Sequence, residues 1–279
     1  MPTADAHLHL FREGYADGFG GPRGMGAELA AYERLRAHFG IERGLVVGYD
    51  EGPQYAGNND YILELARNHA WIAPLVYLPT SPPAVERLRE LRRRGAVGFA
   101  VYLPEASDGE AVAAWPADVL GELRAQRALL SLNAKPAATS LLGGFVAELS
   151  GCSILFSHLG LPGTFDRIPT AAEARECLGP LLALAHREQA AVKFSGLYAV
   201  SDPAYDFPHT AAQPFVDILL DAFGPGRLLW GSDFSPALDY VSFAQTADAR
   251  PLASCSRDEV AEVMGGNLLR LLDDRRRGE

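Results

Sequence analysis

The stretch TADAHLHL, residues 3–10, decides how the chain is read. It alternates polar and apolar residues and places His7 and His9 two apart. On a β-strand, residues i and i+2 point to the same face, so both imidazoles project side by side from one strand end. Two adjacent imidazoles make half of a metal site or a proton-transfer centre. Taken alone, the pair could equally be two surface histidines near a terminus, and the rest of the chain has to decide.

Outward from that strand, short apolar runs recur at 43–49, 71–78, 96–103, 128–133, 153–158, 191–196 and 227–232. Helical patterns lie between them at 26–39, 58–69, 83–94, 117–127, 171–189 and 211–223, with a last one at 256–272. The last opens on Ser256 with Glu259 three residues on, the spacing of a capping box. Eight strands alternating with helices, and no long polar linker, predict a parallel sheet closed as a single-domain (β/α)8 TIM barrel over 1–279. Residues 273–279 read as a solvated tail. Such barrels take about 250 residues, which nearly exhausts the chain. An open doubly wound sheet would place a Gly-rich phosphate loop after the first strand. Gly14, Gly18, Gly20, Gly21, Gly24 and Gly26 form no GxGxxG between strand and helix, so the barrel is preferred.

Composition narrows the function classes. Of 279 residues, 48% are hydrophobic and 22% charged, as in an ordinary globular protein. A net charge of -10 argues against nucleic acid or an anionic membrane as the main partner. The arginine run 92–94 fits a helix C-terminus, where cations are favoured. Cys152, Cys177 and Cys255 are odd in number and match no CxxC pattern, so free thiols are expected rather than a disulfide framework. With no secretory signal and no membrane-spanning run in the sequence, the expectation is a cytoplasmic protein acting on a small molecule. No heptad or apolar surface stripe specifies an oligomer, and a homo-oligomer stays open.

In such a barrel, chemistry collects where strands end and the following loops begin. Those positions hold His7, His9, Tyr49, Tyr77, Tyr102, Asn133, Lys135, His158, Ser195, Tyr198 and Asp233, whereas the strand bodies are apolar. Alone, His158 reads most simply as a core or capping histidine, and Asp233 as a helix N-cap. As a group, two strand-one imidazoles, a later imidazole and a strand-eight carboxylate point to a catalytic site.

The segments DAHLHL, SHLG, VKFSGLYAVS, AFGPGRLLWGSDFSP and GGNLLRLL resemble the amidohydrolase-related family of the amidohydrolase superfamily, in the branch of sugar lactonases and pyrone-dicarboxylate lactonase. The resemblance implies a distorted (β/α)8 barrel with its site at the C-terminal face. His7 and His9 match the strand-one pair, His158 the later histidine, and Asp233 the aspartate that acts as general base, metal ligand or both. It implies hydrolysis of a lactone or other cyclic ester. The site would use one divalent ion held by His7, His9, His158 and Asp233, zinc first and manganese second, or work without metal. Tyr49, Tyr102, Ser195 and Tyr198 would orient substrate hydroxyls, and Lys135 would meet an anion.

Two departures from the family pattern bear on this. Asn133 stands where metal-dependent relatives carry a strand-five histidine, and GFAVYL offers no strand-four lysine, which argues against a binuclear site. GFAVYL and HLGLPGTF also lack the arginines that would fork a substrate carboxylate, so a polyanionic substrate is disfavoured. Lys135, Arg167 and Lys193 remain candidate anion contacts, although Lys193, in mid-strand, reads rather more simply as the partner of a buried carboxylate. The alternatives are a non-oxidative metal-dependent decarboxylase and a non-catalytic barrel.

Overall fold

A computed structural model describes residues 1–15 and 26–277. Eight strands form: β1 (Ala4–Leu8), β2 (Arg43–Val47), β3 (Ile72–Tyr77), β4 (Gly98–Leu103), β5 (Leu129–Ala134), β6 (Ser153–Phe156), β7 (Ala190–Phe194) and β8 (Leu228–Trp230). Each pairs in parallel with the next in sequence. The ring closes just beyond β8, where Leu8 bridges Phe234 and the Asp233 N–H donates to the His7 carbonyl at 2.7 Å. The (β/α)8 barrel read from the alternation is thus the fold. Its strands are buried on both faces, which is why they read as nearly continuous apolar runs.

The ring encloses an apolar layer contributed by nearly every strand, including Ala6, Val47, Leu75, Ala100, Leu129, Leu155 and Leu229, and Leu268 and Leu272 of the last helix close it from below. A second apolar layer, with Tyr32, Phe99, Phe156, Phe215 and Trp230, lies between barrel and helices. Above the inner layer the lining turns polar, with Ser131, Ser157, Lys193 and His7 all buried. Register matters here, because β1 slips against β2 between Asp5 and Leu8. Such irregularities re-aim side chains. Ala4 and Ala6 join the inner layer, Asp5 meets Tyr32, and His7 nevertheless turns towards β7.

The helical expectations differ from the structure in several places. A helix at Ala106–Ala113 occupies a segment that lacks an apolar stripe, started by a capping box between Glu105 and Asp108. The 171–189 pattern stops at Leu182, two residues after Pro180, which supplies no N–H to the preceding turn. The last pattern is a helix at Arg257–Ala261, a π-turn at Glu262–Gly266 and a helix at Asn267–Arg277. The capping box of Ser256 and Glu259 is present. Gly265, at φ 153°, lies where an added Cβ would collide with Thr3 and Ala4, so the turn lets the chain pass close under β1. Of the solvated tail expected at 273–279, Asp273 and Asp274 are exposed, and residues 278–279 lie outside the described residues. The helix continues through Arg277, and Arg275 is half-buried, its guanidinium on the carbonyls of Val97 and Arg127. All three cysteines are free. Among the described residues, no helix is long and apolar enough to cross a membrane.

Candidate active site

Four side chains far apart in sequence meet at the C-terminal mouth of the barrel. His7 Nε2 and His9 Nε2 lie 3.1 Å apart, and each faces Asp233 Oδ1, at 3.6 and 3.7 Å. His158 Nδ1 is 4.0 Å from Asp233 Oδ2. Asp233 and His158 both sit at positive φ, 55° and 52°, a region non-glycine residues seldom enter. Such strain collects at functional positions. It is held here by the Asp233 N–H on the His7 carbonyl, the Ala237 N–H on the Asp233 carbonyl at 2.9 Å, and the His158 N–H on Ser195 Oγ at 3.3 Å.

Burial governs the electrostatics. It pushes His7 well below the usual imidazole range, with the charges of Lys193, His158 and His9 adding to the effect. It takes His9 down to about 4 against the pull of Asp233, and His158 down to about 3. It raises Asp233, opposed by His9, the Tyr198 hydrogen bond and Lys193. At neutral pH the three imidazoles are therefore neutral, and they surround the Asp233 carboxyl group.

A model of the amidohydrolase family matches residues 4–273, spanning every strand of the barrel and all four of these side chains. The chain belongs to the amidohydrolase family. It is 29% identical, over 95% of its length and 94% of the relative's, to an L-fucono-1,5-lactonase of Burkholderia multivorans. An amidohydrolase from Burkholderia multivorans crystallised with bound zinc superposes with a TM-score of 0.79 at 24% identity, over 97% of this chain and 98% of that one. A probable 2-pyrone-4,6-dicarboxylic acid hydrolase from Acinetobacter baumannii, with citric acid bound, superposes at 0.73 and 17% identity, over 97% and 99% of the two chains.

In this amidohydrolase the remaining expected residues divide into two groups. Tyr198 and Ser195 touch the four-residue cluster directly. The Tyr198 hydroxyl donates to Asp233 Oδ2 at 2.5 Å, and its ring stacks on Tyr240 with centroids 5.1 Å apart. Ser195 Oγ lies 3.1 Å from His158 Nδ1. Tyr49, Tyr102 and Lys135 instead line an adjoining cavity of about 350 Å³ with Tyr77 and Asn133.

Three supporting groups escaped the sequence reading or were misread. Lys193 is fully buried, but its Nζ meets His7 Nδ1 at 2.9 Å and Ser131 Oγ at 2.6 Å, in place of the expected carboxylate. Burial lowers this amine to about 7, opposed by the charges of Asp233 and Asp5. Asp5, inside the opening motif, accepts the Ser232 N–H at 2.9 Å, the Ser232 hydroxyl at 2.6 Å, the His7 N–H at 3.0 Å and the Tyr32 hydroxyl at 2.8 Å. It fastens β1 to the end of β8. Glu28, also buried, accepts the N–H groups of Phe11 and Tyr15 at 2.6 and 2.7 Å and the Ser235 hydroxyl.

The donor set fits one divalent ion. Ligands on a tetrahedral ion with bonds near 2.0–2.1 Å stand about 3.3 Å from one another, close to the separations among His7 Nε2, His9 Nε2 and Asp233 Oδ1 given above. His9 Nδ1 is 2.8 Å from the Val47 carbonyl, which places its proton there and leaves Nε2 free to bind. His158 joins His7 and Asp233 in a second set whose ligand atoms lie within 4.8 Å of one another.

Proposed function

We propose that this amidohydrolase opens a lactone or other cyclic ester by attack of water at the barrel mouth. The observation that carries the reading is Asp233 facing three neutral imidazoles in one buried cluster. Asp233 takes the proton of the attacking water and returns it to the ring oxygen as that oxygen leaves. The Tyr198 hydroxyl fixes the carboxylate in place. Ser195 Oγ accepts the backbone N–H of His158 and lies within hydrogen-bond reach of its Nδ1, which steadies the imidazole. His158 then donates to the oxyanion that develops on the carbonyl. Support for a lactone comes from the curated L-fucono-1,5-lactonase relative, which matches nearly end to end.

His7, His9 and Asp233 would hold the ion, with His158 close beside it. Zinc suits two imidazoles and a carboxylate with an open position, and the same-fold amidohydrolase from Burkholderia multivorans was crystallised with zinc. When bound, such an ion polarises the ester carbonyl and lowers the pKa of water. A metal-free preparation is expected to gain several degrees in thermal midpoint on adding zinc chloride, because a ligand that binds only the folded state stabilises it. His7→Asn should lose that shift and the roughly one equivalent of metal found by elemental analysis. A full shift in the variant would remove His7 from the ligand set.

The reaction itself is tested by following acid release from a panel of lactones in weak buffer. Turnover of at least one lactone is expected. Carbon dioxide release from an aromatic acid, with every lactone inert, would overturn the reading in favour of a decarboxylase.

A further inference from the structure

The cavity beside the catalytic cluster has a wall that the catalytic mechanism does not use. Tyr49 stands at the end of β2, Tyr77 at the end of β3 and Tyr102 near the end of β4. Their rings pack edge to face or tilted, with Tyr49 4.8 Å from Tyr102 and 5.7 Å from Tyr77. Glu51 lies across this wall, with the hydroxyls of Tyr77 and Tyr49 directed at its Oε2 from 3.3 and 3.5 Å. The loop carrying Glu51 is braced by Asp50, whose Oδ1 accepts the N–H groups of Gly57 and Asn58 at 2.6 and 3.2 Å. Leu161, three residues after His158, lines the same cavity, and Tyr102 in its wall is close enough to Asp233 to feel that carboxyl's charge, so the cavity adjoins the cluster.

We propose that Glu51, steadied by Tyr49 and Tyr77, determines specificity by accepting a ring hydroxyl of a neutral, hydroxylated lactone and repelling lactones that carry a carboxylate. The proposal rests on the lactonase reading and deepens it. Three observations point this way. The cavity of about 350 Å³ is near the small end for ligand pockets, which span about 300–1,000 Å³, and suits one small ring. Its charged lining is Glu51 and Asp108 against Lys135, so a substrate carboxylate would meet two anions and one cation. One oxygen of Asp108 is already taken by the Glu105 N–H at 2.9 Å, which leaves Glu51 as the better-placed acceptor. The Tyr102 hydroxyl is buried with no hydrogen-bond partner among the described residues, a donor ready for a substrate oxygen. Together, acceptors and donors on an aromatic wall match a polyol ring with hydroxyls of both roles.

The experiment compares wild type, Glu51→Gln, Glu51→Arg and Tyr77→Phe on L-fuconolactone and gluconolactone, both neutral, and on glucarolactone, which bears a carboxylate. Glu51 is exposed, so its variants keep the fold, and thermal midpoints check this. Wild type is expected to favour the neutral lactones. Glu51→Gln should lose about tenfold to a hundredfold in kcat/KM on them, carried mainly by KM, as expected for losing a hydrogen bond to a charged group. Glu51→Arg should raise the ratio for glucarolactone over the neutral lactones, and Tyr77→Phe should shift KM in the same direction as Glu51→Gln but less. Neutral lactones turned over equally by wild type and Glu51→Gln would overturn the clamp and leave the lactonase reading standing. A wild type that prefers glucarolactone would do the same. A wild type inert on all lactones would overturn both.

Discussion

Asp233→Asn is expected to lower kcat for lactone opening by about a thousandfold or more, the scale of losing a positioned general base. Asparagine keeps the shape of the side chain and can still accept from the Tyr198 hydroxyl, but it cannot take a proton from water. The protein should not unfold. Asp233 is buried, and burial raises its pKa above the ordinary value of 3.8. Between that value and the raised one, the folded state binds more protons than the unfolded chain, so its stability falls as pH rises through the window. Above the window the ionised carboxylate costs stability in full. The neutral amide removes that cost, and the variant should therefore melt at or above the wild-type temperature once pH has risen above the window. Below the window the advantage should vanish. Activity within tenfold of wild type in a well-folded Asp233→Asn protein would remove the residue as base.

Much of this cluster could be read in advance because barrels put chemistry at strand ends, and strand ends are visible as the points where apolar runs give way to polar residues. All eight strands were legible for that reason, and so were His7, His9, His158 and Asp233. The helix at Ala106–Ala113 was not, since ASDGEAVA has no apolar stripe, and its start depends on a Glu105–Asp108 box that lacks the usual hydroxyl residue. Lys193 was visible as a lysine inside AAVKF, but its partner was not. Only closure of the ring brings β1 beside β7 and β8, so no local pattern could pair Lys193 with His7 in place of a carboxylate. Asp5 was overlooked for a related reason: its four donors come from Ser232, His7 and Tyr32, two of which lie across the seam or on a helix. Tyr49 and Tyr77 are legible as strand-end residues, yet nothing in the sequence says that both will converge on the Glu51 carboxylate.

The seam also makes a small residue decisive. A Cβ built on Gly231 would stand 2.6 Å from His7 Cβ, 2.9 Å from His7 N and 3.2 Å from His7 Cα, all atoms fixed by the backbone of β1. The surrounding chain cannot easily move aside. The Gly231 N–H donates to the Phe194 carbonyl at 3.1 Å, the Ser232 N–H to Asp5 at 2.9 Å, and the Asp233 N–H to the His7 carbonyl at 2.7 Å. Gly231→Ala must therefore push β1 and β8 apart or displace His7. Overpacking of this kind costs about 1–3 kcal/mol, and displacing a catalytic group by around 1 Å can cost about a hundredfold in rate. The expected result is a lower thermal midpoint together with about a hundredfold loss of activity. The stabilisation by zinc should shrink as well, since His7 and Asp233 would no longer keep their spacing. Gly226→Ala is the control, because an added Cβ there meets nothing within 4 Å. It should change neither stability nor rate. Wild-type activity in Gly231→Ala would mean that the seam has slack, and that the positions of His7 and Asp233 are set elsewhere than at the closure of the ring.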